Sequence, residues 1–301
     1  MIKIYDNTTH ELVNVLQGHS DTIHEAKFIN DSILITCSSD RSLNIYDCKT
    51  ASLTTSLKQK KEVYSFDIVG DLVALAVGSG VVLVNSKTLK EVRSFNDCHT
   101  EDVTRVRFHP NDSTKLLSCS VDGLICIYDL ANQDADEAIT FVMNGEHSVS
   151  TMGFFGPKNM HLWSLSTTER LSVWDLESGT RIKEYGDLRQ IVMDKYQVEV
   201  NYFNTCHYDA NDNTLYLFGG DFTGNGLVFR VEADNVVPIA KLAGGHTEII
   251  RSTILNKDKQ EILTAGEDNK LCFWTNSAKL VASDPSPKSQ SSSKIVVSVN
   301  E

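Results

Sequence analysis

The chain has 301 residues, with 28 Lys plus Arg against 40 Asp plus Glu and a formal net charge of −12. Hydrophobic residues make up 41% and charged residues 23%, ordinary proportions for a packed chain, and they exclude disorder over most of the length. The charge argues against nucleic acid and against an anionic membrane surface, since both are bound through Lys and Arg, while length alone suggests about two domains.

The first element is Ile2-Lys-Ile-Tyr-Asp6, a short strand ending in an aromatic residue and Asp. No apolar h-region precedes it, so no signal peptide is expected, and no run of about 18 apolar residues follows, so no transmembrane helix is expected. The next elements repeat that strand end. Gly18-His19 leads into an alternating stretch, and Ile33-Leu-Ile-Thr-Cys37 reads as a strand. Ser38-Ser39-Asp40 follows as a turn and Leu43-Asn-Ile-Tyr46-Asp47 as the next strand. A second repeat, about 56–85, closes on Leu83-Val84-Asn85 and has neither the His nor the Asp. The third runs from Cys98-His99 through Ser120-Val121-Asp122 to Ile127-Tyr128-Asp129. The fourth runs from Glu146-His147 to Val173-Trp174-Asp175, with Thr168 where the Asp is due. The fifth, about 186–231, is long and degenerate and closes on Val228-Phe229-Arg230. The sixth runs from Gly245-His246 through Gly266-Glu267-Asp268 to Phe273-Trp274-Thr275. In the three complete copies His precedes Asp by 21, 23 and 22 residues, and Asp precedes the aromatic by 6 in each. Beyond them, Ser283 to Lys294 is Ser/Pro/Lys-rich and reads as linker, and Ile295-Val-Val-Ser-Val299 reads as a strand.

Three landmarks that hold register across separate copies resemble the WD40 family of β-propellers. The resemblance covers roughly residues 1 to 275 and implies an all-β ring of four-stranded blades. Seven blades with an incomplete first one are expected, because Ile2–Asp6 already stands where a third strand belongs; a six-bladed ring is the alternative. Residues 1–283 then form one domain, and 284–301 a tail with a closing strand at 294–299 that returns to the unpaired edge of the first blade. The resemblance also implies a polar network in each blade, which is costly unless fully satisfied and so fixes one arrangement. Carried over, its members are His19, Thr36, Asp40 and Tyr46 in the first repeat. The third supplies His99, Ser118, Asp122 and Tyr128, the fourth His147, Ser164 and Trp174, and the sixth His246, Thr264, Asp268 and Trp274. In the family the third and fifth residues after the His, and the residue before the Asp, project onto one rim. Here these are Thr22, His24 and Ser39, then Asp102, Thr104 and Val121, then Ile249, Arg251 and Glu267, with Glu62 and Tyr64 in the degenerate second repeat. His24, Tyr64, Asp102, Arg251 and Glu267 are the expected partner-binding residues, since Arg and Tyr are common at binding hot spots.

Other chemistry fares worse. No G-x-S-x-G occurs, and Ser148 beside His147 points the other way on a strand, so no catalytic site is expected. Seven Cys occur without C-x-x-C spacing, so they read as reduced, mostly buried thiols of an intracellular protein, in cytoplasm or nucleus. Cys206-His207 near Asp209 and Asp212 lacks the spacing of a zinc site, and no metal or cofactor is expected. Gly219-Gly220-Asp-Phe-Thr-Gly224-Asn-Gly226 lacks the Lys-Ser/Thr of a P-loop and reads as a hairpin turn. Lys58-Gln-Lys-Lys61 is a short solvated cluster. The function expected is that of a non-enzymatic scaffold, monomeric within a complex, whose protein partners carry basic segments. The runner-up is a substrate receptor of a cullin-RING ubiquitin ligase. Such receptors carry W-D-x-R, and this chain has Tyr46-Asp47-Cys48-Lys49 and Trp174-Asp175-Leu176-Glu177, neither of which supplies the planar Arg fork.

Overall fold

A computed structural model describes residues 1–275, apart from 7, 97, 135–136 and 257–260. The expected tail at 284–301 and its closing strand at 294–299 lie outside the described residues. Two compact units divide the chain, Met1–Met152 and the part from Gly153 onward.

In the first unit, β1 (Ile2–Tyr5) pairs antiparallel with β2 (Leu12–Leu16) as a two-stranded sheet. Three four-stranded meanders follow. They are β3 (Ile23–Asn30), β4 (Ile33–Ser38), β5 (Ser42–Asp47) and β6 (Ser52–Lys58); β7 (Val63–Val69), β8 (Leu72–Val77), β9 (Gly80–Asn85) and β10 (Glu91–Phe95); and β11 (Val103–His109), β12 (Asp112–Ser120), β13 (Leu124–Asp129) and β14 (Ile139–Asn144). The second unit opens with β15 (Val149–Phe155), which begins just before the boundary, then β16 (His161–Ser166), β17 (Arg170–Asp175) and β18 (Arg181–Asp187). It continues with β19 (Tyr202–Asp209), β20 (Thr214–Gly220), β21 (Gly226–Val231) and β22 (Val236–Leu242). A three-stranded sheet of β23 (Ile250–Asn256), β24 (Glu261–Gly266) and β25 (Leu271–Thr275) ends the described chain. Six sheets thus have three or four strands, which is the count of the six-bladed alternative, while β1 and β2 stand as a pair.

The sheets are apolar where they stack. Leu34, Tyr46 and Cys48 pack with Leu16, so the β1–β2 pair is anchored on the next sheet. Ile35, Leu43, Val63, Phe66, Leu75 and Val82 form the core between the β3–β6 and β7–β10 sheets. In the second unit Trp163, Val173, Leu217 and Phe229 hold a like position. All seven cysteines are free and buried, and burial pushes the thiols up, to about 12 for Cys37 and Cys126.

Two irregularities recur. The first strand of a sheet shifts register by one residue near its start, between Ile23 and Glu25, Val63 and Ser65, Val103 and Arg105, Phe203 and Thr205, and Ile250 and Ser252. The fourth strand does so opposite the third-strand aromatic residue, leaving Thr54, Thr140, Ile182 and Ile239 unpaired beside Tyr46, Tyr128, Trp174 and Phe229. A bulge of this kind leaves one residue unpaired and re-aims its side chain.

Among the described residues two helical elements interrupt the strands, a short 3-10 turn at Pro157–Asn159 and one longer helix. An α-helix, α1 (Leu188–Tyr196), fills part of the long fifth repeat. Asp187 caps it by accepting from the Arg189 N–H, Leu188 and Val192 are buried on one face, and Gln197 ends it in a left-handed conformation.

Candidate partner-binding rim

The polar networks hold the turns beside the rim. In the sixth repeat Trp274 Nε1 donates to Thr264 Oγ1 at 2.7 Å, and His246 Nε2 meets the same oxygen at 2.8 Å. His246 Nδ1 then donates to Asp268 at 3.0 Å, and the N–H of Thr247 donates to the other carboxylate oxygen at 2.9 Å. A carboxylate only accepts, so the ring hydrogen sits on Nδ1 and Nε2 accepts from the hydroxyl. Burial alone would raise Asp268, but the His246 ring and the N–H groups of Thr247 and Lys270 hold it down at about 2.

The third repeat has the same relay. Tyr128 and Ser118 are 2.8 Å apart, Ser118 and His99 2.7 Å, and His99 Nδ1 lies 3.1 Å from Asp122. Burial lowers His99 despite Asp122, which keeps the ring neutral. In the first repeat His19 bridges Asp40 at 2.8 Å and Thr36 at 2.7 Å. Tyr46 is fully buried and accepts from Asn44 Nδ2 at 3.2 Å, so Asn44 enters a network in which the sequence pattern did not count it. The fourth repeat keeps only part of the pattern. Trp174 donates to Ser164 at 2.9 Å, and Thr168 pairs with Ser166 inside its own turn. His147 lies half-buried at the end of the first unit, where its neighbour Ser148 donates to the Val121 carbonyl at 2.6 Å.

Four of the rim residues are the residues of the first-strand bulges. His24, Tyr64, Thr104 and Arg251 each occupy the unpaired position. In the first unit four bonds join them into one cluster. His24 Nε2 meets Ser39 Oγ at 2.7 Å, and Ser39 donates to Glu62 at 3.2 Å. The Tyr64 hydroxyl lies 2.8 Å from Glu62 Oε2 and 3.0 Å from Asp102 Oδ2. The His24 and Tyr64 rings pack at 5.1 Å. A phenol has one hydrogen, so it can donate to one of these two carboxylates and not to both. Burial and the two acids both push the Tyr64 hydroxyl up, so it stays protonated. The expected trio His24, Tyr64 and Asp102 is therefore brought together, with Ser39 and Glu62 as the links.

In the second unit Arg251 forms a forked ion pair with Glu267. Nearby, Tyr202 accepts from the Ile250 N–H at 2.7 Å and stacks near Phe222 at 6.4 Å. Phe222 stands in the Gly-rich stretch, which is the hairpin turn between β20 and β21. Asp221 holds that turn through the N–H groups of Thr223 and Asn225. Gly224 is needed there, since its φ is +90° and a Cβ would lie 2.4 Å from the His246 carbonyl. Asn204, on the β19 bulge, donates to Thr253 at 3.2 Å; sequence reasoning missed it because the fifth repeat has no landmark to set the register.

Below the first-unit rim lies a half-buried ionic cluster. Glu25 takes a fork from Arg107 at 2.7 and 3.3 Å, a hydroxyl from Ser65 at 2.7 Å and the Phe66 N–H at 3.1 Å. Lys27 pairs with Asp67 at 2.9 Å. Burial would raise Glu25, but Arg107, Lys27 and Arg105 hold it at about 2. The candidate zinc pair is also placed. Cys206 is buried, and His207 Nε2 lies 2.8 Å from the Thr253 carbonyl. Asp47 and Asp175, each after a third-strand aromatic, cap their own turns by accepting from the N–H groups of Lys49 and Ser178.

Blade-like meanders tied by His–Asp relays define a repeat protein of the propeller class, and known proteins give the family. The model of the WD domain, G-beta repeat, matches residues 10–47 and 89–129. The chain is 51% identical over 282 residues to the WD repeat-containing protein 89 homolog of Dictyostelium discoideum, covering 93% of this chain and 79% of that protein. It is 31% identical to the WD repeat-containing protein GTS1 of Arabidopsis thaliana, covering 91% and 75%. A chain in the crystal structure of the mitotic checkpoint complex shares the fold, with a TM-score of 0.73 at 12% identity over 91% of this chain and 83% of that one. The chain belongs to the WD40-repeat family, and its fold is the all-β WD40 propeller.

Proposed function

We propose that this protein is a non-enzymatic scaffold that binds a protein partner by taking a Lys or Arg side chain between Glu62 and Asp102. One observation carries the reading: two carboxylates converge on a single phenol hydrogen with only the Ser39 hydroxyl added, so acceptors outnumber donors, and no cation pairs with either acid among the described residues. An ammonium or guanidinium group supplies the missing hydrogen bonds and the missing positive charge together. The −12 charge of the chain favours the approach of a basic segment. Glu62 and Asp102 stand directly before strands β7 and β11, and the bulge residue Tyr64 bridges both, which lowers the ordering cost relative to residues on free loops. Seven buried thiols suit a reducing compartment, so the partner is sought in cytoplasm or nucleus.

The test is panning of the purified protein against a random peptide library. Lys- or Arg-containing sequences should be enriched, and the double variant Glu62→Gln, Asp102→Asn should lose them while keeping the wild-type melting temperature. Enrichment of peptides without a cation, or equal binding by the double variant, would refute the reading.

A further inference from the structure

The first strands β3, β7 and β11 run side by side in the first unit and carry polar groups at matching positions. Glu25, Ser65 and Arg105 share one position, and Lys27, Asp67 and Arg107 share the position two residues on, which faces the same way. Three cations therefore meet two carboxylates. Both carboxylates are already engaged by other groups. Glu25 serves Arg107, Ser65, Lys27 and the Phe66 N–H, and Asp67 serves Lys27 and the Phe108 N–H at 2.8 Å. Arg107 donates further to the Val106 and Phe66 carbonyls, and Lys27 to the Phe66 carbonyl.

Arg105 is the cation left over. Its Nε makes one long bond, 3.4 Å, to Thr151 Oγ1. Its Nη1 stands 3.8 Å from Glu25 Oε2, beyond hydrogen-bond distance, and neither Nη atom has an acceptor among the described residues. The side chain is 28% exposed, so part of it is within reach of solvent. A guanidinium in this state matches a carboxylate or phosphate through two parallel N–H bonds, and the surplus positive charge of the cluster adds to the attraction.

We infer that Arg105 is an oxyanion-binding residue, taking a carboxylate or a phosphate group beneath the rim. The site is separate from the contact proposed for Glu62 and Asp102, and the two together would read a cation and an anion carried by one partner. The nearby rim acids oppose a free anion, so inorganic phosphate alone should bind only in the millimolar range, about 4 kcal/mol.

The test follows the side-chain Nε–H resonance of Arg105, assigned by its loss in Arg105→Gln, while inorganic phosphate or acetate replaces chloride at constant ionic strength. A saturable shift is expected, together with a rise in melting temperature that Arg105→Gln lacks and Arg105→Lys shows only in part. Saturation at lower phosphate than acetate points to a phosphate group, and the reverse order to a carboxylate. A shift that never saturates, or equal stabilisation of wild type and Arg105→Gln, would overturn the inference. The Glu62→Gln, Asp102→Asn variant should keep the full phosphate response, so the rim reading and this one can fail independently. Loss of the response there would place the anion at the rim and refute Arg105. Without phosphate, Arg105→Gln should melt within about 2 °C of wild type, since no short hydrogen bond is removed.

Discussion

Two neighbouring sheets of the first unit solve the same problem differently. The β11–β14 sheet fixes its turn with a buried relay from Tyr128 through Ser118 and His99 to Asp122. The β7–β10 sheet has no such relay. Its strands β8 and β9 are almost wholly apolar and buried, with Val73, Leu75, Val81 and Leu83 at 3% exposure or less. Both turns use a glycine at positive φ, Gly78 at +55° and Gly123 at +84°, but only the second adds an Asp. A relay and a greasy hairpin are therefore interchangeable supports for one blade geometry. They differ in kind, though: packing is indifferent to pH, whereas a relay works only with its members in the right protonation state.

The largest effect should come from breaking the apolar support. Leu75→Ala empties a fully buried position in β8 and should cost about 2–5 kcal/mol, read as a shift of the urea midpoint at constant slope. The relay should be somewhat weaker. Ser118→Ala leaves the Tyr128 hydroxyl and His99 Nε2 without their shared partner in a buried place, at a cost of about 1–3 kcal/mol. If Ser118→Ala costs as much as Leu75→Ala, the relay is the main support and the comparison needs reversing.

Acid should separate the two kinds of sheet. Asp268 is held at about 2, below its ordinary 3.8, and Asp122 is lowered as well, chiefly against burial by the N–H groups of Leu124 and Thr100 and by His99. The unfolded chain then binds more protons than the folded one, so this stability is complete above about pH 5 and is lost as pH falls through 3.8 towards 2. His99 shifts the same way for another reason. Burial keeps it neutral when the unfolded chain takes a proton, so stability begins to decline below about 6.5. Asp268→Asn should melt lower than wild type at pH 7, and the gap should narrow at pH 3. Hydrogen exchange at pH 3 should quicken in β12 and β24 more than in β8; uniform exchange would count against the distinction.

The relays were legible because each rests on local spacing. His19 and Asp40 lie 21 residues apart, His99 and Asp122 23, and a fixed number of strand residues separates them in every copy. The rim was legible by the same register, and His24, Tyr64 and Asp102 do meet. What lay hidden was long-range. Arg107 reaches Glu25 across 82 residues, and no periodicity within one repeat reports a contact between the first strand of one sheet and that of the next but one. Helix α1 was written in the chain after all. Asp187 stands before Leu188, Ile191 and Val192, an N-cap followed by apolar residues at helical spacing, but the surrounding repeat pattern favoured strands. His147 shows the converse, a landmark without its Asp that does not by itself build a relay.

The smallest change in stability should come from Tyr64→Phe, and it is the sharpest probe of the rim. Tyr64 bridges Glu62 and Asp102 from a partly exposed position, so losing the hydroxyl should alter folding by no more than about 0.5 kcal/mol. Its effect on binding depends on what the hydroxyl does. If it only shields two acids from each other, removing it leaves Asp102 without that donor and Glu62 with the Ser39 hydroxyl alone, and Arg-containing peptides should bind as well as before or more tightly. If it donates to the partner instead, those peptides should bind more weakly, with Glu62→Gln weakening them no further. Isothermal titration of one library-derived Arg peptide against wild type, Tyr64→Phe and Glu62→Gln distinguishes these. The donor shortage at the rim predicts a loss for Glu62→Gln and none for Tyr64→Phe, because only the former removes negative charge that the cation needs.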